Sequence, residues 1–313
     1  MLYFSLIEYK NNNNKILICN FLFIIKKVFF LKLKKKKNFF LNIKQIILFL
    51  FNNKYWKKIN FKNINLILTI KNKNILSNVD AYFKLMLISK KIVKNNYLNL
   101  NNLFNKCYNI LWTNLGSFDL NYFNSLKLNK ESLIIESIDK IPFLIKFLIP
   151  NNIRISNTNR VRLGTYICNG VTVMSEGYIN FNTYIGKNSM IEGRISSGVT
   201  IKNETDIGGS VSIMGTLSGG GNILISIGNN CLLGANSGLG ISIGNNCIIE
   251  SGLYITSGLK IFLKIKKKYI IIKSKKISFI NNLIFYRNSL NGHIECSKNK
   301  KKINKININL HKN

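Results

Sequence analysis

In VRLGTYICNGVTVMSEGYINFNTYIGKNSMI, residues 161–191, an aliphatic side chain recurs at every sixth position: Val161, Ile167, Val173, Ile179, Ile185 and Ile191. No α-helix repeats on six residues, and an ordinary half-buried strand alternates on two. Short strands joined by tight corners do fit, with one aliphatic side chain per face pointing inward. Three such faces close a triangular coil of about 18 residues, and coils of this kind stack into a solenoid. Glycine at the corners supplies backbone conformations that other residues resist.

The period slips after Ile191 and resumes at Ile201, Ile207 and Ile213. Gly219 to Gly221 interrupt it again. It restarts at Ile227 and Leu233, then at Ile243, Ile249 and Ile255. The phase breaks are therefore expected at 197–200 and 219–221. The window from 161 to 261 holds 19 of the chain's 21 glycines, from Gly164 to Gly258. It carries five basic residues (Arg162, Lys187, Arg194, Lys202, Lys260) and five acidic ones (Glu176, Glu192, Glu204, Asp206, Glu250). The window is neutral, so the net charge of +34 lies outside it.

That charge is mostly lysine, 41 of 46 basic residues, scattered among Asn and Ile, while Pro and Ala number two each. The favoured residues have A/T-rich codons, so the composition reads as mutational bias. A nucleic-acid binder would need a coherent basic face, and no such motif is present; nucleic-acid partners are not expected. The six cysteines show no CxxC spacing and read as free thiols of a reducing cytoplasm. The apolar run Ile16 to Ile25 is too short to span a bilayer, so no membrane partner is expected.

Upstream, residues 1–75 give weak signals. Asp80 reads as an N-cap, with Tyr82, Leu85, Ile88 and Ile92 as a helical stripe. Ser132 to Ile138 reads as a strand, and a helix is expected after Pro142. The chain thus divides into an N-terminal α/β region (1–150), the solenoid (151–261) and a C-terminal extension (262–313). In that extension 270–272 and 282–285 read as strands, and the tail from Lys298 reads as frayed.

Three strings exceed what a structural repeat needs: MIEGRIS (190–196), IMGTLSGGG (213–221) and LGANSGLG (233–240). With VMSEGYINFN (173–182) and IESGLYITSG (249–258), they closely resemble the tetrahydrodipicolinate N-succinyltransferase family, in its actinobacterial-type form. Asp80-Ala81-Tyr82, Trp112-Thr113-Asn114, Arg160 to Gly164 and Arg287-Asn288-Ser289 extend the resemblance over about residues 76–292. The resemblance implies a mostly β protein, a left-handed parallel β-helix behind a small α/β N-terminal domain. It implies a cytoplasmic homotrimer with active sites between subunits. The implied reaction moves succinyl from succinyl-CoA to the amine of the ring-opened small-molecule substrate, in lysine and diaminopimelate biosynthesis.

The resemblance also implies roles. Glu192 matches the catalytic carboxylate, as general base or transient acyl acceptor; an amine attacks a thioester directly, which favours the base. Gly215 matches a glycine whose N–H lies at the reacting centre, although a plain corner glycine would look the same. Coenzyme positions fall on Arg194, Gly209, Ser212, Ala235, Glu250, Ser251, Gly258 and Lys273. Tyr286, Arg287, Asn288 and Ser289 form a closing contact, with Tyr286 where the family tends to have arginine. A structural Mg²⁺ at the trimer axis would use Glu176, but its partner position is the neutral Asn159.

The alternatives are a non-catalytic or decaying solenoid and an acetyl-CoA-using relative. Decay would erode the polar strings, and they stand intact. Acyltransferases and carbonic anhydrases of this repeat class that work through histidine are excluded, because His293 and His311 both lie outside the repeat.

Overall fold

A computed structural model describes residues 2–12, 15–27, 64–69, 74–120, 133–265 and 268–300. The frayed tail read from sequence lies almost wholly outside these residues. The chain is mostly β, a left-handed parallel β-helix preceded by a smaller part that mixes helix and antiparallel strands. It divides into two units, 1–84 with 99–140, and 85–98 with 141–313.

In the first unit the strands Leu2–Asn12, Lys15–Lys27 and Ile64–Thr69 pair antiparallel. The apolar run read at Ile16 to Ile25 is therefore strand. A second antiparallel sheet joins Ile110–Thr113, Gly116–Asp119 and Ile135–Asp139. Helix α1, Asn78–Ser89, starts three residues earlier than Asp80 implied. Ser77 is the cap: its Oγ accepts the Asp80 N–H at 3.2 Å, while the Asp80 carboxylate reaches back to the Leu76 N–H. Asp80 also faces Lys84 at 3.6 Å, and Lys84 donates to the Asn99 carbonyl. Tyr82, Leu85 and Ile88 are fully buried as the stripe required, but α1 ends before Ile92.

In the second unit, 85–98 packs on the coil through asparagine. Asn95 donates to Thr200 Oγ1 at 2.9 Å, and Asn96 donates to the Gly198 carbonyl at 2.7 Å. The segment after Pro142 forms one 3₁₀ turn, Leu144–Lys146, and no longer helix. There the chain must turn at once to bridge Phe143 to Arg162.

The coil itself has three sheets of two-residue strands. The first face stacks Tyr178, Arg194, Ser212, Gly238 and Tyr254. The second stacks Tyr166, Tyr184, Thr200 and Ser226. The third stacks Arg154, Thr172, Met190, Asp206, Leu232, Ile248 and Ile284. Each of these points outward, and the next residue points in. The inward set from Val173 to Ile255 is shut from solvent, including Ile191, Ile195, Ile207, Ile213, Leu239 and Ile255 at 0% exposure. Each contributes about 1.5–3 kcal/mol of apolar burial.

The corner from second to third face is a column of left-handed residues: Gly170, Asn188, Glu204, Asn230, Asn246 and Asn282, with φ between 54° and 77°. Asparagine tolerates this conformation better than most residues. The preceding position carries a side-chain ladder. Lys187 N–H donates to Asn203 Oδ1, Asn203 N–H to Asn229, Asn229 N–H to Asn245 and Asn245 N–H to Asn281, at 2.7–3.0 Å.

The far end is closed by the chain after Ile255. Leu283–Arg287 pairs in parallel with Ile248–Ile249, then antiparallel with Ile294–Lys298. The hairpin Lys260–Ile265 with Lys268–Lys273 continues that sheet. Antiparallel strands end the stack of parallel coils, which caps the apolar interior.

Candidate active site

The corners from third to first face explain the first slip of the period. They take four residues at 174–177, 208–211, 234–237 and 250–253, but only two at 192–193. The slip thus falls at Glu192-Gly193, earlier than 197–200, and Ile195 is already back in phase. Two missing residues leave a notch in an otherwise even edge, with Glu192 in it. Gly193 is what lets the chain cut this corner, since a Cβ there would lie 2.5 Å from the Val211 carbonyl oxygen. The Glu192 N–H donates to the Ile207 carbonyl at 2.8 Å. Its carboxylate lies against the next coil, with Oε2 3.6 Å from where a Cβ on Gly209 would stand.

The rest of the same edge is built from expected coenzyme positions. Backbone bonds step along it from Glu192 to Ile207, Gly208 to Leu233, Gly234 to Ile249 and Glu250 to Phe285. Gly209, Ala235 and Ser251 therefore stand in file on successive coils, about 4.8 Å apart, with Glu250 beside Ser251 on the last of them. Ala235 and Ser251 are exposed, and the Gly234 backbone lies so close to Ser251 that a Cβ would meet its N at 2.5 Å. Arg194, exposed, and Ser212, half-buried, are register partners on the adjoining first face.

Tyr286 to Ser289 continue that edge beyond Glu250. Glu250 Oε2 accepts the Arg287 N–H at 2.7 Å, which ties two expected site residues together. Glu295 organises two more, accepting from Asn288 Nδ2 at 2.7 Å and from the Tyr286 hydroxyl at 2.8 Å, with Tyr269 as a third donor. These bonds, Asn288's first, hold the Glu295 carboxyl below its ordinary range. Burial, then the Glu295 bond, pushes the Tyr286 phenol up to about 12. The Tyr286 hydroxyl is thus committed to Glu295. Ser289 is exposed in the turn that follows.

Gly215 lies elsewhere. The corner from first to second face takes four residues at 180–183 and 196–199 but twelve at 214–225, where IMGTLSGGG bulges out. The Gly215 carbonyl accepts from Ile225 N–H at 3.1 Å, and its N–H has no acceptor among the described residues. A Cβ at Gly215 would sit 2.8 Å from the Ser197 carbonyl oxygen. The loop is pinned by Ser257, whose N–H donates to Ser218 Oγ at 2.6 Å and whose hydroxyl donates to the Ser218 carbonyl. Gly258 follows Ser257, and a Cβ there would meet open space; exposed Lys273 pairs with Lys260 across the hairpin that follows. Since Ile195 pairs with Ile213, Gly215 stands beside Ser197, five residues along the face from Glu192. That is roughly 16 Å of extended chain. One chain does not bring Glu192 and Gly215 together.

Glu176 and Asn159 are both exposed, and Arg160 Nη2 donates to the Glu176 carbonyl at 3.0 Å. One carboxylate and one amide per chain, beside a guanidinium, is a poor donor set for Mg²⁺, which favours several carboxylate and water oxygens. Among the described residues no group of three His, Cys, Asp or Glu side chains is placed to hold a metal. Five cysteines are buried free thiols. No described helix is long and apolar enough to cross a membrane.

Sequence reasoning missed Ser257, Glu295 and Asp206. The first two act through hydrogen bonds between distant segments, which no local pattern signals. Asp206 carried a weak signal: it is one of only five acidic residues in the window. It stands outward on the coil after Glu192, and one carboxylate oxygen is buried without a partner.

The hexapeptide repeat of succinyl-transferase, as a family model, matches residues 224–257. A 2,3,4,5-tetrahydropyridine-2,6-dicarboxylate N-succinyltransferase of Vibrio cholerae is 44% identical over 240 residues, 75% of this chain and 70% of that protein. The protein of the same name from Salinispora tropica is 43% identical over 238 residues, covering 75% of this chain and 74% of its own. A crystal structure from Campylobacter jejuni, assigned as a 2,3,4,5-tetrahydropyridine-2-carboxylate N-succinyltransferase, superposes with a TM-score of 0.81 at 27% identity. It covers 96% of this chain and 93% of its own.

Proposed function

The chain belongs to the 2,3,4,5-tetrahydropyridine-2,6-dicarboxylate N-succinyltransferase family, and from that premise we propose that it transfers succinyl from succinyl-CoA to the amine of the ring-opened substrate. The observation that carries this reading is the notched edge. The family's carboxylate, Glu192, sits where the corner lacks two residues, and a file of small or polar residues leads away from it. An extended thioester lies along such a file with its acyl end at the notch.

In the proposed reaction the Glu192 carboxylate takes a proton from the acceptor amine as nitrogen attacks the thioester carbonyl carbon. The N–C bond forms, and the carbonyl oxygen becomes an oxyanion, which the free Gly215 N–H stabilises. The C–S bond then breaks, and the coenzyme thiolate leaves with the proton held on Glu192. Arg194, with its fork of donors, is placed for the succinyl carboxylate or a coenzyme phosphate.

The separation of Glu192 from Gly215 favours a centre shared between neighbouring copies, with Glu192 from one chain and Gly215 from the next. A homotrimer closes three such sites by symmetry. The test is purified protein with succinyl-CoA and tetrahydrodipicolinate, following free thiol and sedimentation together. Acceptor-dependent thiol release by a trimer is expected. A folded trimer that releases no thiol above background would sink the enzymatic reading.

A further inference from the structure

We propose that Ser257 is a positioning residue for acyl transfer: it latches the glycine-rich loop 214–225 onto the coil and so fixes where the Gly215 N–H points. The proposal rests on the reading of that N–H as the donor to the oxyanion.

The loop is a short hairpin with little stiffness of its own. Thr216 bridges Leu224 antiparallel, the Leu217 N–H donates to the Ile223 carbonyl at 2.7 Å, and the Ile225 N–H donates to the Gly215 carbonyl at 3.1 Å. So few rungs do not hold a hairpin in water. Its tip is glycine, with Gly219 and Gly220 both at φ 88°. Ser218 gives the loop its place, because it bonds to two successive coils. Its N–H donates to the Gly240 carbonyl at 3.0 Å, its Oγ accepts the Ser257 N–H at 2.6 Å, and its carbonyl accepts the Ser257 hydroxyl. Gly240 is the seat: a Cβ there would stand 2.8 Å from both Met214 Sδ and Ser218 Cβ. Ser257 is itself held from behind. Its carbonyl accepts the Lys275 N–H at 3.3 Å, and beside it the Ser274 hydroxyl donates to the Thr256 carbonyl.

Gly215 is strung between two fixed points. On one side the Met214 N–H donates to the Leu239 carbonyl at 3.0 Å; on the other stands Ser218. Release of Ser218 leaves Gly215 free to swing about Met214. A donor that meets charge only in the transition state has to be aimed before the reaction begins. Loss of aim therefore lowers kcat and leaves substrate binding alone. The repeat asks for no hydroxyl at Ser257, which is half-buried and points no side chain into the core. Its hydroxyl is used on the loop.

The test is steady-state succinyl transfer by wild type, S257A, S257T and S218A, with amide hydrogen exchange and melting temperature measured on the same full-length proteins. S257A should lower kcat by roughly fivefold to fiftyfold, a part of what loss of an oxyanion donor costs. KM for both substrates should stay within about twofold. Exchange of the Leu217, Ser218 and Ile225 amides should quicken together by roughly tenfold, while the inward strands and the melting temperature hold. S218A should behave alike, and S257T, which keeps the hydroxyl, should restore both the rate and the slow exchange. Wild-type kcat in S257A overturns the proposal. So does a raised KM at constant kcat, or a fall in kcat with loop exchange unchanged. Absence of acyl transfer by the wild type would instead remove the reading of the reaction on which the proposal stands. Loop exchange in S257A would still decide whether the hydroxyl holds the loop.

Discussion

Glu192 is set back by the two residues its corner lacks, and this makes it more than one outward glutamate among several. E192Q keeps the shape and the backbone bond to Ile207 but removes the proposed base. Its kcat should fall by roughly 100-fold or more with melting unchanged, read by thiol release and calorimetry. A different glutamate exposes a cost of the fold. Glu204 holds φ 54° in a column otherwise filled by Asn and Gly. Glu204→Gly should stabilise the protein by up to about 1 kcal/mol, measured by thermal melting, because glycine adopts that conformation without strain. The sequence made Glu192 legible through the string around it. Asp206 was not legible, since an aspartate on the outward side of a strand reads as solvated until the neighbouring coil is known.

At the scale of elements, the six-residue period predicted the faces and their inward residues well, because burial of one aliphatic side chain per face is what the period records. Corner length is invisible to such a reading when a shortened corner restores phase within four residues. The first slip therefore reads as 197–200 when it lies at 192–193. The start of α1 is hidden in the sequence for a similar reason: Ser77 caps it through a bond that Asp80's carboxylate alone does not reveal. Asparagine abundance read as codon bias, yet at one corner it does structural work. Asn229→Ala breaks one rung, leaving the Asn203 N–H unmatched, and also removes the 3.3 Å side-chain contact to Asn245 while the Asn229 N–H rung survives. It should cost about 1 kcal/mol, seen in urea unfolding. Ile207→Ala, inside the coil beside the notch, should cost about 2–5 kcal/mol in the same measurement.

For the molecule as a whole, the contrast between a neutral coil and basic flanks now has a physical basis. Inside the window the inward positions, the corners and the notched edge take up most of each coil, which leaves mainly the outward strand positions open to lysine. The flanks, with fewer such demands, carry the +34 charge. The proposed assembly is the central claim: Glu192 and Gly215 lie on different corners of one chain and meet only across two copies. E192Q and Gly215→Val should each be nearly inactive alone. Refolded together from denaturant as an equal mixture, they should regain about a quarter of wild-type activity, since random assembly joins an intact Glu192 corner to an intact Gly215 corner at that frequency. A mixture no more active than the sum of the two variants would show that each chain supplies both groups to its own site.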